Sequence, residues 1–223
     1  MPATNHFYNF NVGSAYYNYR THRNWYAEAD LVLATNSRQH FGMDSCFLAG
    51  RYHLMDDVGL EDPISLVVGG QLTKATKHGL HNPGSFHHGQ FEMGVFVSAG
   101  KEFDCGEFWV WRGWGSLGMG LADVGSPWLV GSLHLENNYR DVHRFTMSLD
   151  GLYGMGGDSL HPHMCFKGYG SIRHHSLDAG LSYGYTFDWE GTLSIAYAHR
   201  IYARNFPSNV NMFLLSINYP FSL

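Results

Sequence analysis

Residues 209–223 read NVNMFLLSINYPFSL, and the rest of the chain is best understood outward from them. Phe213, Leu215, Ile217, Tyr219 and Phe221 occupy alternate positions. A period of two places all five on one face of a β-strand. The other face carries Met212, Leu214, Ser216, Asn218 and Pro220, which are smaller and more polar. The same pattern recurs immediately upstream. Residues 192–203 set Leu193, Ile195, Tyr197, His199 and Ile201 against Thr192, Ser194, Ala196, Ala198, Arg200 and Tyr202. Residues 176–187 set Leu177, Ala179, Leu181, Tyr183, Tyr185 and Phe187 against Asp178, Gly180, Ser182, Gly184 and Thr186.

Further alternations occupy residues 143–153, 128–137, 107–117, 90–101, 64–76, 44–55, 25–35 and 6–19. A weaker one covers 163–172, with Met164, Phe166 and Ile172 opposite His163, Cys165, Lys167 and Ser171. The reading is therefore of about twelve strands, enough for an interior wider than side chains alone would fill. Short turns join them, which predicts antiparallel up-and-down neighbours, because a parallel crossover needs about a dozen residues or more. No stretch has a helical period with caps. A meander of this length must manage its edges, and closing the sheet removes them. The predicted fold is all-β, a single domain over residues 1–223, closed as an antiparallel up-and-down barrel.

Composition decides which side of that barrel is apolar. Charged residues are 15% of the chain, against roughly 25% in soluble proteins. The polar faces of the alternating runs are rich in Gly, Ser, Thr and Ala, whereas a solvent-facing surface normally carries many Lys and Glu. Such faces suit a hydrated interior and leave the apolar faces for lipid. No apolar run approaches the roughly 18 residues of a membrane helix. Net charge is −5 and there is no basic tract, which excludes nucleic acid as a partner. The start MPATNHFYNF has neither a basic n-region nor an apolar core, as expected of a mature chain whose signal has been removed or of a protein that stays in the cytoplasm. Cys46, Cys105 and Cys165 are odd in number and match no metal spacing, so free thiols are expected.

The chain resembles the bacterial outer-membrane β-barrel class over nearly its full length. The resemblance rests on the chain-terminal strand with its aromatic face, on runs long enough to cross a bilayer at a tilt, and on aromatics near run ends. Those aromatics are Trp25, Trp109, Trp128, Tyr183, Tyr185, Tyr219 and Phe221. It implies a transmembrane barrel in the bacterial outer membrane, with membrane lipid around it. It also implies a pore or channel for ions or small solutes. A lipid-acting barrel enzyme and a non-conducting anchor or adhesin are the alternatives, and a soluble barrel is the rival at the level of fold. In that class the odd-numbered connections are the longer ones. Here the longer ones are even-numbered, at 77–89 and 118–127.

The residues expected to line the lumen are Glu28, Asp30, Arg51, Glu92, Arg112, Glu136, Arg144, Asp150, Lys167, Asp178 and Arg200. Their signs nearly balance, and buried charge must be paired or hydrated. Two readings follow, a salt-bridged network that holds a narrow barrel together and a wall that tunes selectivity. Ser132, His134, Glu136, Ser148 and Asp150 fall on facing strands with one orientation, from which a nucleophile and a base could be drawn. No motif supports this, and no catalytic residue is assigned. The chain has 15 histidines, grouped as His78, His81, His87 and His88, as His161 and His163, and as His174 and His175. Their spacings define no metal site. They read as polar loop residues, with neither metal nor cofactor expected.

Overall fold

A computed structural model describes residues 5–18, 23–36, 41–161 and 165–220. Its strands are β1 (Asn5–Asn18), β2 (Arg23–Asn36), β3 (Gly42–Met55), β4 (Ser65–Ala75), β5 (Phe91–Asp104), β6 (Trp109–Ala122), β7 (Trp128–Tyr139), β8 (His143–Gly154), β9 (His175–Thr186), β10 (Thr192–Arg204) and β11 (Asn211–Asn218). One short helix, α1 (Lys77–Leu80), is capped by Thr76, whose hydroxyl accepts from the Gly79 N–H. Each strand pairs antiparallel with the next, so spatial order follows sequence order. The sheet is an open half-barrel of eleven strands. No ladder joins β1 to β11 among the described residues.

The strand expected at 163–172 is absent, which corrects the count from about twelve to eleven. His163 and Met164 lie outside the described residues. Residues 165–172 form no strand and contribute a single isolated bridge, Asp158 to Ile172. The physical reason is a close crossing of loops. The Tyr169 N–H donates to the His87 carbonyl at 2.8 Å, and the Gly170 N–H to the His88 carbonyl at 2.9 Å. Gly168 sits at φ +93°, and a Cβ there would strike Leu80 and the carbonyl oxygens of His87 and His88. The apparent alternation belongs to a loop folded against another loop. The terminal strand pairs with β10 as expected but is shorter than 209–223, and Phe221 lies outside the described residues.

The two faces differ in exposure. Phe213 is 80% exposed, Leu215 68%, Leu133 64% and Leu181 60%, and the exposed large apolar residues run from β1 to β11. The Gly-, Ser- and charge-bearing face is half-buried. It lies on the concave side, because loops from distant strands meet over it. Phe86, between β4 and β5, packs tilted against Phe206, between β10 and β11, with ring centroids 5.0 Å apart.

The even-numbered connections gather at one rim and the odd-numbered ones at the other. Residues 76–90 and 155–174 are the long even connections. The one expected at 118–127 shrinks to 123–127, because β6 continues through Ala122. Tyr169, Ile172 and Phe206 are buried at that rim, packed by Phe86, Leu152, Phe166 and Ala203. The opposite rim carries a run of touching rings through Phe108, Tyr139, His143, Tyr185, Phe187, Trp189 and Tyr219. With an odd strand number, β1 and β11 both begin at the capped rim.

Candidate functional site: a charge-paired wall and a capped rim

The strands bring most of the expected charges onto the concave face and pair them. Arg51 donates to both carboxylate oxygens of Glu28, at 2.9 and 3.0 Å. Arg200 grips Asp178 in the same two-pronged way, at 2.7 and 2.9 Å. Planar guanidinium matches carboxylate in such forks. Arg144 lies 3.6 Å from Glu136, and His134 Nε2 lies 3.7 Å from Asp150. Asp30 accepts from the side-chain amides of Asn9 and Asn11. Arg112 stands in register between Glu102 and Glu136 on the neighbouring strands. Glu92 does something else. Its carboxylate accepts the backbone N–H groups of His88 and Gly89, at 2.6 and 3.3 Å, and so ties the 76–90 loop to β5. Lys167 is on no strand; it lies in the 155–174 loop, a correction that follows from the missing strand.

The serine and histidine side chains of this group make other contacts among the described residues. Ser132 Oγ is 2.6 Å from Ser116 Oγ. His134 leans towards Asp150 and stacks on Trp114, with centroids 4.9 Å apart. Among the described residues no hydrogen bond joins a serine to His134. Cys46, Cys105 and Cys165 are all free thiols.

The capped rim is the denser site. Arg200 is only 5% exposed. Its guanidinium lies 4.9 Å from the Phe86 ring centre and 4.5 Å from that of Phe206, and it also donates to the Pro207 carbonyl. The Asp178–Arg200 pair therefore fastens two loops to the wall. On the other side, buried Asp44 accepts from Ser85 Oγ at 2.7 Å and meets His87 Nε2 at 2.9 Å. His87 Nδ1 faces Glu92 at 3.6 Å. Burial works against charge on His87, but these two carboxylates outweigh it and raise its pKa to about 9.

Next to it, His88 and His174 meet Nε2 to Nε2 at 3.1 Å. His88 stacks on Trp128 at 3.7 Å, and His174 on Phe206 at 5.2 Å. Burial, then the charges of His174 and His87, depress His88 to about 3. Burial also lowers His174. Tyr169 donates to the Pro83 carbonyl across the same contact, and burial pushes its phenol up.

Sequence reasoning set these histidines aside as loop residues. The signal was present in the His-His dipeptides 87–88 and 174–175, but nothing local links positions 86 residues apart. Among the described residues no three His, Cys, Asp or Glu side chains are arranged to hold a metal ion. No family model, curated protein or solved structure matches the chain.

Proposed function

We propose that the chain is a transmembrane β-barrel of the bacterial outer-membrane kind that acts as a pore for ions or small solutes. The observation that carries this reading is the exposed apolar face. In water such a continuous surface is a liability, whereas surface apolar patches on soluble monomers rarely exceed a few hundred Å². In a bilayer it is the required outer band, and the ring-rich rim sits where interfacial aromatics belong.

Lipid cannot satisfy an open edge, so the reading requires the sheet to close. One loop reaches towards both edges. A Cβ at Gly84 would collide with the Asn5 amide on β1, and Phe86 packs on Phe206 beside β11. Because both edge strands begin at the same rim, a direct β1–β11 seam is parallel, with evenly spaced, slanted hydrogen bonds.

Most wall charges neutralise one another. Among the described residues Asp150 has His134 as its one ion-pair partner, at 3.7 Å; it stands in register with Asp178, whose carboxylate is taken by Arg200, and its side chain is 48% exposed. It is the group expected to favour cations. Asp150→Asn is predicted to lower cation preference, read as a reversal potential across a planar bilayer under a salt gradient; an unchanged potential contradicts that role. The capped rim favours a second reading, a non-conducting barrel. Bilayer recordings decide between them: discrete conductance steps support the pore, and silence under all conditions rejects it.

A further inference from the structure

We infer that the His88–His174 contact is an acid-sensitive latch on the rim cap, which holds residues 165–174 against the 76–90 loop at neutral pH and releases them on acidification. The inference rests on the pore reading for its consequence, acid-enhanced conduction, but not for the latch itself.

The proton count follows from the geometry. His174 Nδ1 lies 2.8 Å from the Ile172 carbonyl, which only accepts, so His174 carries its proton on Nδ1. Its Nε2 is then a bare lone pair. His88 Nε2, 3.1 Å away, must carry the N–H that donates to it. The couple therefore holds one shared proton between two neutral rings, both buried, at 5% and 1% exposure. A further proton has two places to go. On His174 Nε2 it either sets two N–H groups facing each other or drives the His88 proton to Nδ1, and in both cases the buried ring pair becomes a cation. On His88 Nδ1 it places a cation in a buried pocket walled by Trp128 and Tyr169.

Among the described residues no carboxylate bonds to a ring nitrogen of either histidine. His87 is already cationic at neutral pH and spends Asp44 and Glu92 on itself. Arg200, behind Phe206, is matched by Asp178. Asp123 accepts the Gln90 N–H at 3.0 Å. Tyr169 is neutral, and His175 and Arg173 add only like charge.

The sign of the pH effect is fixed by linkage. His88 has a folded-state pKa below the unfolded value of about 6.5, so its contribution is present above that value and is lost as pH falls towards about 3. His174 adds in the same direction. His87 runs the opposite way. Its contribution is present below about 6.5 and is lost as pH rises through about 9. The cap is tightest near neutrality.

The amides of Tyr169 and Gly170 report the cap, since they donate to the carbonyls of His87 and His88. Their hydrogen exchange, measured on the full chain in micelles and corrected for intrinsic chemistry, is expected to rise roughly tenfold or more from about pH 7.5 to about pH 4.5. His88→Phe keeps a ring on Trp128 but takes no proton, and its exchange should rise clearly less across that range, the remainder coming from His174. His88→Asn, equally untitratable, serves if the phenylalanine variant does not fold. A flat response in the native chain overturns the latch, and so does an undiminished response in either folded variant. Conductance is recorded alongside. If exchange responds to acid while no conductance is seen at either pH, the latch stands and the pore reading falls.

Discussion

Arg200→Ala is expected to destabilise the folded chain by about 3–5 kcal/mol, because it leaves the Asp178 carboxylate without its partner in a largely buried setting. The Asp178 side chain is 14% exposed, so solvent replaces little of the lost contact. The same change strips the guanidinium from between Phe86 and Phe206, which unfastens two of the loops at the capped rim. Asp178→Ala should cost a similar amount, by stranding Arg200 instead. Replacing both, as Asp178→Asn with Arg200→Gln, should cost less than either single alanine change, since no unpaired charge remains. Urea unfolding of protein refolded into micelles gives these differences. Single-variant losses below about 1 kcal/mol would place the pair among exposed ion pairs of little worth.

Leu181→Arg and Leu215→Arg should each impair folding into lipid vesicles, at a cost of about 2–4 kcal/mol near the bilayer midplane. Ser182→Arg adjoins Leu181 but points to the concave face, where a guanidinium finds water and carboxylates, so it should be far milder. Folding yields into vesicles of one lipid composition compare the three. Equal losses at all three would mean that the exposed apolar face does not meet lipid.

Much of the sheet was legible because its signal is local. Alternation in residues 176–187 marks β9 to within a residue at each end, since Leu181 and Ser182 need no distant partner to declare opposite faces. The failure at 163–172 has the same origin. Phe166 and Lys167 alternate like strand residues, yet Gly168 and Gly170 allow a backbone crossing that no ladder would permit. There tertiary packing overrode a local pattern. The charge pairs of the wall were legible as a near-balance of signs, but their partners were not, since Glu28 and Arg51 meet only once β2 and β3 set their register. The cap was the least legible part. Asp44, His87, His88, His174 and Arg200 come from four separate stretches. Only the curl of the sheet brings those stretches together.

The central claim is that the exposed face of the sheet lies against acyl chains, and the most direct test places a small fluorophore at single introduced cysteines along β9, with the three native cysteines replaced by serine. In vesicles of brominated lipid, quenching should alternate: strong at 177, 179, 181 and 183, weak at 178, 180 and 182. Bromine on the acyl chains quenches only neighbours within the hydrocarbon, so a period of two is the signature of a strand with one face in lipid. Uniform quenching along the strand, or none at any position, would contradict a membrane-spanning barrel.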